Sequence, residues 1–311
     1  MSQNFPKILV VGDIMLDHYI HGVANRISPE APVLVVENSD EVWQLGGAAN
    51  VANNLSAIGV KVTLAGCVGN DDSGLLAREL LFSKGIEGII CSKSKKPTTT
   101  KTRVLVGNHQ LLRIDKEDRL NISKQEESFL LKEIEDRISN FSLVVLSDYS
   151  KGTLTSTLIH GIIALSAEHG IRAIVDPKDP PFSKYFGAFL LKPNRIEAYR
   201  ETGLRISDQD TFHKAARTIM NETACKAVII TLSENGVGLK YEEVCTMLPT
   251  EATKVIDVTG AGDTFTAILA YALAIGKSVA ASCELANYAS GIVVGRAGCV
   301  AISFEDIKSK I

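Results

Sequence analysis

The sequence predicts an α/β protein with a mostly parallel central sheet and helices on both of its faces. Short, nearly continuous apolar runs recur along the chain, and segments with helical apolar spacing lie between them. Strands buried on both faces have this apolar character, and an alternation of strands with helices is typical of parallel sheets. A chain of 311 residues suits one such core with a small appendage, so we expect a single domain over residues 1–311.

Five apolar runs predict strands of the central sheet, and polar residues follow each of them. The runs are residues 8–11, 143–146, 173–175, 189–191 and 227–230. Because ligands of open α/β sheets bind beyond the carboxyl ends of the strands, we expect the polar residues to line one crevice. The alternative is that they are ordinary solvated loop residues.

Two predicted helices begin at a serine that has an acidic residue three positions later. Ser123 with Glu126 and Ser207 with Asp210 have the spacing of a capping box, and helical apolar positions follow both pairs. The two helices fill segments between predicted strands, as the connections of a parallel sheet require.

Two stretches interrupt this alternation, residues 14–41 and 93–113. Both are rich in Val, Thr, Ile and Leu without helical spacing. We expect them to pair as a small antiparallel sheet that forms a discontinuous β lid. Such a lid would close over the crevice and shut out water, and its outer face would supply the contact of a homodimer.

Charge and hydropathy argue against two classes of partner. The 33 basic and 36 acidic residues give a net charge of −3, which provides no basic field for nucleic acid or an anionic membrane. The N-terminus enters a strand-like run without a basic segment, a long apolar segment or a cleavage pattern. We therefore expect a cytoplasmic protein that binds neither nucleic acid nor membrane.

The spacing of the cysteines and glycines argues against several kinds of site and enzyme. The six cysteines are widely spread without a CxxC pair, which favours reduced core thiols over a zinc site or a disulfide scaffold. The chain also lacks the third glycine of a dinucleotide fingerprint and contains no GxxxxGK[ST] motif. A nicotinamide-dependent oxidoreductase and a P-loop nucleotidase are therefore disfavoured.

The strongest local signal is the segment 257–263, Asp-Val-Thr-Gly-Ala-Gly-Asp, which leads into a helical apolar face. Gly260 and Gly262 lie at the start of that helix, where unpaired amides and the helix dipole favour a phosphate. Asp263, in the first turn, can stay ionised and accept a proton from an attacking hydroxyl. The alternative gives Asp263 a capping role and the glycines a tight turn.

A second segment, residues 192–197, follows a predicted strand and starts another helix. Asn194 and Glu197 are three residues apart, so we expect them on one face of that helix, where they would share a hydrated Mg²⁺ ion. The same spacing fits a capping box in which Asn194 is the N-cap.

A third segment, residues 46–50, opens a helix that ends near Gly59. Backbone exposed at Gly46 and Gly47 would bind sugar hydroxyls, and the Asn50 amide offers both a donor and an acceptor. An ordinary glycine turn ahead of a helix is the alternative.

In order and spacing, and over nearly the whole chain, these segments resemble the ribokinase/PfkB-like carbohydrate kinase family. The similar segments are residues 12–17, 46–50, 194–197, 231–236 and 257–263. The resemblance implies a ribokinase-like fold in which Asp263 is the catalytic base and the backbone of Gly260, Ala261 and Gly262 forms the anion hole.

The resemblance also implies the ligands and their residues, with ATP and Mg²⁺ as substrate and cofactor. The residues it places at ATP and Mg²⁺ are Asn194, Arg195, Ile196, Glu197, Thr231, Ser233, Gly236 and Asn287. Those it places at the sugar are Asp13, Asp17, Gly46, Gly47 and Asn50. Glu197 would hold Mg²⁺ indirectly, and Asp257 with Thr259 would hold a monovalent cation such as K⁺.

Within the family, residues 26–33, 146–152 and 175–178 are most similar to the heptose 7-phosphate kinases of ADP-heptose synthesis. Lys151 and Lys178 follow predicted strands, where a cation can neutralise a second phosphate, although loop lysines are usually just solvated. Asp148 joins them as a predicted sugar-binding residue. Arg26, Arg103 and Arg113 in the lid are further candidates for that phosphate, and the sequence does not choose among them.

The implied reaction is transfer from ATP to the C1 hydroxyl of D-glycero-β-D-manno-heptose 7-phosphate, a step of lipopolysaccharide core synthesis. Some members carry a fused nucleotidyltransferase domain with an HxGH motif, which this sequence lacks, so we expect the kinase reaction alone. The alternatives are another sugar or sugar-phosphate kinase, such as a phosphofructokinase, and a non-catalytic sugar or nucleotide sensor.

Overall fold

The structure, a computed structural model, describes residues 6–107, 109–252, 254–296 and 298–311. The strands in chain order are β1 (Lys7–Gly12), β2 (Ile14–Ile27), β3 (Leu34–Gly47), β4 (Lys61–Gly69), β5 (Glu87–Ser94), β6 (Thr99–Val106), β7 (His109–Lys116), β8 (Leu143–Ser147), β9 (Arg172–Asp176), β10 (Leu190–Leu191), β11 (Ala227–Thr231), β12 (Val237–Tyr241) and β13 (Val244–Leu248). The α-helices are α1 (Ala48–Ala57), α2 (Asp72–Ser83), α3 (Lys124–Glu135), α4 (Ser156–Glu168), α5 (Arg195–Thr202), α6 (Gln209–Thr223), α7 (Ala261–Ala274), α8 (Val279–Val293) and α9 (Phe304–Ile307). Among the helices of these ranges, none is long and apolar enough to cross a bilayer.

The central sheet has the strand order β13-β12-β11-β10-β9-β8-β1-β4-β5. All neighbours from β11 to β5 in that order pair in parallel, whereas β12 and β13 form an antiparallel hairpin at one edge. The expected mostly parallel sheet is therefore confirmed. The five predicted runs lie in β1, β8, β9, β10 and β11; the sequence did not predict β4, β5, β12 and β13.

Both faces of the sheet are covered by helices, as the apolar runs require. Along β1, Ile8 and Val10 pack in a cluster with α1, α7 and α8, while Leu9 and Val11 pack in a second cluster with α3, α4 and α6. Successive side chains of a strand point to opposite faces, so a strand between two helical layers must be apolar at every position.

Of the two capping boxes predicted at serines, one is confirmed and the other is wrong by one residue. Ser123 and Glu126 form the expected capping box at α3. At α6 the N-cap is Asp208 and its capping-box partner is Thr211, one residue later than the predicted Ser207 and Asp210. Asp and Ser are equally good caps, so the sequence did not decide between adjacent candidates.

The lid is a four-stranded sheet of order β3-β2-β6-β7, described here without residue 108, which falls inside the predicted range 93–113. It spans 14–47 and 99–116 rather than 14–41 and 93–113, because residues 87–94 belong to β5 of the central sheet. Strands β2 and β3 and strands β6 and β7 pair antiparallel, but β2 and β6 pair in parallel, so the expected all-antiparallel lid is wrong.

The parallel pairing within the lid follows from where its strands leave the central sheet. Strand β2 continues from the carboxyl end of β1, and β6 continues from the carboxyl end of β5. Both strands therefore run away from the same edge of the sheet in the same direction. They can only meet in parallel.

Candidate active site

Asp263 lies at the carboxyl edge of the central sheet, in the first turn of α7, and only 6% of its surface is exposed. Its Oδ2 accepts a hydrogen bond of 2.7 Å from Asn50 Nδ2, and its Oδ1 accepts one from the Tyr149 hydroxyl. The N-cap of α7 is Gly260, which has no side chain for capping. Asp263 therefore points into the crevice and does not cap the helix.

The surroundings of Asp263 place its pKa in the range where a carboxylate can act as a base near neutral pH. Burial raises the pKa of Asp263 to about 6, while hydrogen bonds from Tyr149 and Asn50 act in the opposite direction. Burial and the Asp263 charge raise the pKa of Tyr149, so its phenol keeps the proton that it donates. Above about pH 6 the pair is a carboxylate held by a neutral phenol.

The two glycines before Asp263 have different roles. Gly260 has a φ of 79°, and an added Cβ would lie 2.5 Å from Cys299 Sγ, so backbone strain and crowding both require glycine there. At Gly262, an added Cβ would meet no heavy atom of the described residues within 4 Å. The first-turn amides of a helix have no intrahelical acceptor, so the open side of Gly262 can admit an anion.

One of the three amides of the predicted anion hole has a partner within the preceding turn. The Ala261 amide donates a long hydrogen bond of 3.3 Å to Val258 O within the turn before α7. The Ala261 N–H is therefore less available to a bound anion than an amide without a partner. The amides of Gly262 and Asp263 come next in the first helical turn, where their N–H groups point out of the helix end.

The loop that carries Tyr149 is held by Asp13. The buried carboxylate of Asp13 accepts hydrogen bonds from the amides of Tyr149, Lys151 and Thr153 at 2.9–3.0 Å. Burial and then the Asp148 charge raise the pKa of Asp13. The structure thus gives the predicted sugar-binding Asp13 a clear function in folding the loop over Asp263.

Asp148, also predicted at the sugar, has protein partners on both carboxylate oxygens. Its Oδ2 accepts from the Tyr185 hydroxyl and from Lys184 Nζ at 3.0 Å, and its Oδ1 accepts from the Ser150 amide at 2.7 Å. This buried network fixes the start of the loop after β8. Tyr149, which the sequence analysis did not select, is the residue of this loop that reaches Asp263.

One of the predicted sugar residues at the lid base, Asn50, contacts Asp263. Asn50, in the first turn of α1, bonds directly to its carboxylate, and Gly47, with a φ of 59°, is the N-cap of that helix. An added Cβ at Gly46 would lie 2.6 Å from Asp17 Oδ2, and Asp17 is paired with Arg103. The glycine segment therefore lets the backbone pass close to the acid side chains of the crevice.

Asn194 and Glu197 form a capping box at α5, the alternative that the sequence left open. Asn194 is the N-cap and lies outside the helix, so the expected shared helical face is wrong. Glu197 is buried. Its Oε2 accepts a hydrogen bond of 2.8 Å from the backbone N–H of Asn194, and its Oε1 accepts one of 3.0 Å from Lys178 Nζ. Burial and then the Asp176 charge raise the pKa of Glu197. Asn194 also forms an isolated parallel bridge with Thr231.

The residues that flank this cap bring α5 against the loop after β11. Arg195 donates to Leu232 O and pairs with Glu234 at 3.4 Å, while Ile196 is 62% exposed beside it. The loop itself contains Ser233 with a φ of 54° and Gly236 with a φ of 81°. The predicted ATP-binding residues of these two segments are therefore neighbours.

Asn287, predicted at the nucleotide, lines a cavity of about 270 Å³. Its Nδ2 donates a hydrogen bond of 2.7 Å to Pro249 O. Further lining residues are Leu248, Glu251, Lys277, Ala281, Glu284, Leu285, Tyr288 and Lys310. The cavity is formed by the start of α8 and the chain after β13.

A buried polar group near Asp263 was missed by the sequence analysis. Lys192 Nζ pairs with Asp176 Oδ1 at 3.0 Å, and the Thr266 hydroxyl donates to Asp176 Oδ2 at 2.8 Å. The charge of Asp176 acts to raise the pKa of Asp263, and that of Lys192 acts to lower it. Asp176 ends β9 and Lys192 directly follows β10, and this position at the polar strand ends was the signal that could have identified them.

Asp257 organises the turn that precedes α7. Its Oδ1 accepts from the Thr259 amide at 2.9 Å and its Oδ2 from the Gly298 amide at 3.1 Å. Partial burial acts to raise the pKa of Asp257, but hydrogen bonds from Thr259 hold that pKa below its usual value. The carboxylate is therefore ionised beside the crevice.

The predicted cationic residues differ in their positions. Both lysines are ion-paired, Lys151 with Glu117 at 2.7 Å and Lys178 with Glu197 at 3.0 Å, but only Lys178 is substantially exposed, beside Tyr149. Of the three lid arginines, Arg103 pairs with Asp17 in the crevice, while Arg26 and Arg113 pair with exposed acids of the lid. Lys178 and Arg103 are thus the better-placed cations.

The chain is similar to known proteins over almost its whole length. Residues 6–306 match the family described as pfkB family carbohydrate kinase. The chain is 43% identical over 305 residues to the bifunctional protein HldE of Sulfurimonas denitrificans, an alignment that covers 97% of this chain and 64% of that protein. It therefore spans a little under two thirds of the length of this curated relative.

Two solved structures have a closely similar backbone. The ribokinase of Arabidopsis thaliana complexed with ribose and ATP has a TM-score of 0.77 and 21% identity, with 98% of both chains covered. The phosphofructokinase-2 of Escherichia coli in complex with potassium has a TM-score of 0.80 and 20% identity, again with 98% of both chains covered. At these identities the likeness is one of fold.

Proposed function

Since the chain belongs to the pfkB family of carbohydrate kinases and has a ribokinase-like fold, we propose that it transfers the γ-phosphoryl group of ATP to the C1 hydroxyl of D-glycero-β-D-manno-heptose 7-phosphate. The family makes the chain a phosphotransferase that acts on a sugar hydroxyl. The product would be the 1,7-bisphosphate of ADP-heptose synthesis, made in the cytoplasm. Residues 1–311 form the kinase domain in this proposal.

The observation that carries the proposal is the buried carboxylate of Asp263 beside the open side of Gly262 at the start of α7. Asp263 accepts the proton of the C1 hydroxyl as that oxygen attacks the γ-phosphorus in line. The first-turn amides of α7 face the phosphoryl oxygens, where negative charge develops. Asn50 and Tyr149 hold the two oxygens of Asp263 and fix its direction.

The nucleotide would lie along the loops after β10 and β11. Its base end would reach the cavity beside Asn287, and its phosphates would run past Asn194, Thr231, Ser233 and Gly236 toward α7. These residues are neighbours in the fold, which supports one extended ATP site.

The carboxylates of the crevice fit the cations that the family uses. Asp176 and Glu197 are hard oxygen donors. Burial and then the Asp176 charge raise the pKa of Glu197, and a hydrated Mg²⁺ would relieve the repulsion between the two carboxylates. Mg²⁺ would supply neutralisation of the phosphate charge when bound. The ionised carboxylate of Asp257, with Thr259, is the corresponding donor for K⁺.

A phosphorylated sugar is the better substrate class on grounds of charge. Lys178 is partly exposed beside Tyr149, and Arg103 lies at the lid base against Asp17, so cations are available to a second phosphate. Among phosphorylated sugars, we favour heptose 7-phosphate because residues 26–33, 146–152 and 175–178 are similar to those of heptose 7-phosphate kinases.

Exposed apolar side chains of the lid support the proposed homodimer, since a partner lid would bury them. They are Val23, Ile27, Val33, Leu34, Leu111, Leu112 and Ile114. Sedimentation of a monomer at micromolar concentration would contradict this contact.

A coupled ADP-release assay over phosphorylated and free sugars tests the substrate. We expect heptose 7-phosphate to have a kcat/KM about 100-fold above free heptose, because charge-assisted contacts to one phosphate supply that difference. Nucleotide binding without turnover of any sugar would instead indicate a sensor.

A phosphofructokinase is the second candidate, since the chain shares its fold with phosphofructokinase-2 of Escherichia coli. Fructose phosphates belong in the same screen for this reason. A higher kcat/KM for a fructose phosphate than for heptose 7-phosphate would replace the proposed substrate and leave the kinase mechanism in place.

A further inference from the structure

Three side chains outside the active site bring two thiols and a carboxylate together. Cys67 is in β4, Cys91 is in β5 and Glu126 is in the first turn of α3, and their ligand atoms all lie within 4.8 Å of one another. Cys67 and Cys91 are register partners of adjacent parallel strands, so their side chains point to the same face of the sheet. Helix α3 covers that face.

The carboxylate is held in place without help from the thiols. Glu126 is the capping-box partner of Ser123, and its Oε2 accepts the Ser123 amide at 2.6 Å. The Ser94 side chain also donates to this carboxylate. Glu126 is therefore oriented toward the two sulfurs by the start of its own helix.

The charge near the three groups suits a bound dication. Binding of a divalent cation would release the two thiol protons to solvent, and two thiolates, one carboxylate and the cation would together leave a charge of −1 at the site. Lys96 is close enough to interact electrostatically with both Cys67 and Glu126, and its single positive charge would balance that remainder. Cys67 and Cys91 are partly exposed, which leaves a route for the ion.

We propose that Cys67, Cys91 and Glu126 form a binding site for a thiophilic divalent cation of the Zn²⁺ type. Two sulfur ligands and one oxygen ligand suit Zn²⁺ and disfavour Mg²⁺ or Ca²⁺, and water would complete four-coordination. The ion would join edge strand β5 to β4 and α3. Cys67 also lines a small cavity with Thr98 and Lys151, so the ion would brace the base of the lid.

Metal titration of the full chain, kept reduced with a phosphine, tests the site without reference to kinase activity. We expect one tightly bound Zn²⁺ by competition with a chromophoric chelator, and a thiolate-to-cobalt charge-transfer band when Co²⁺ is used. Cys91→Ser should weaken Zn²⁺ binding by about 100-fold or more, since loss of a ligand exceeds the effect of losing an outer-shell partner.

Glu126→Gln tests the role of Glu126 as a metal ligand apart from its role in capping α3, because Gln also supports a capping box. We expect it to weaken binding by about 10-fold, less than Cys91→Ser, because the Gln side chain keeps one neutral oxygen donor, and we expect the melting temperature of the metal-free protein to be retained. Cys245→Ser and Glu135→Gln, which remove a partly exposed thiol on β13 and an exposed acid on α3, are the matched controls and should bind Zn²⁺ as the wild type does.

Equal Zn²⁺ affinity in the wild type and in Cys91→Ser would overturn the site, as would Co²⁺ binding without a charge-transfer band. If Cys91→Ser does not fold, the Co²⁺ spectrum of the wild type decides alone. A failed kinase assay would leave this proposal untouched, because none of its three residues belongs to the proposed ATP or sugar site.

Discussion

The starts of α5 and α7 lie at the same edge of the central sheet, and each has an acidic residue at the third helical position. In α5 this residue is Glu197, and in α7 it is Asp263. Glu197 is used by its own helix, since it completes a capping box with Asn194 and pairs with Lys178. Asp263 instead bonds to Asn50 and Tyr149, on other elements of the fold.

The difference lies in the residue at the N-cap. Asn194 offers an oxygen to the Glu197 amide and an amide to the Glu197 carboxylate, whereas Gly260 has no side chain and a left-handed backbone. The carboxylate of Asp263 therefore has no local partner that draws it back along the helix. An acidic residue at a helix start becomes available for chemistry when its cap is a glycine and tertiary contacts hold it elsewhere.

The largest expected difference between the two starts is in the rate of phosphoryl transfer. Asp263→Asn should lower kcat by about 10³-fold or more with ATP binding retained, because it removes the general base and keeps the shape. Glu197→Gln should lower kcat by about 10-fold at most, since Gln keeps the capping box and loses only a charge near the phosphates. Single-turnover kinetics with nucleotide titration measure both, and equal losses would end the distinction.

A smaller effect is expected in the pH dependence of the rate. The base must be ionised, so kcat/KM should fall as the pH falls through the pKa of Asp263, about 6. Tyr149 lowers that pKa through its hydrogen bond, so Tyr149→Phe should move the acid limb upward by about one pH unit. Tyr185→Phe, which removes a phenol from Asp148 instead, is the control and should leave the limb in place. A limb that stays unmoved in Tyr149→Phe would remove Tyr149 from its positioning role.

The smallest effect is expected in stability. Asn194→Ala should lower the free energy of unfolding by about 1 kcal/mol, the usual cost of a lost N-cap, whereas Asn194→Ser should be within a few tenths of a kcal/mol of the wild type. Urea unfolding measures the difference. A loss of ATP affinity in Asn194→Ser at unchanged stability would show that Asn194 is a ligand as well as a cap.

The lid and the central sheet differ in how far the sequence predicted them. Strands β1, β8, β9, β10 and β11 are apolar at nearly every position because helices cover both faces, so their runs could be recognised. Much of the lid is exposed, with every residue of β7 exposed, and its strands are mixed in composition, so the sequence indicated strands but not their limits or direction. Their parallel pairing came from the common edge at which β2 and β6 leave the sheet.

By itself, the sequence determined the parallel α/β architecture, the glycine-rich start of α7 and the acidic residue that follows it, because apolar periodicity and glycine spacing act within a few residues. The tertiary structure decided which side chains meet. Asn50 and Tyr149 reach Asp263 across 213 and 114 residues of chain, and Cys67 meets Cys91 through the register of β4 and β5. Such contacts depend on strand order and register, which no local pattern encodes.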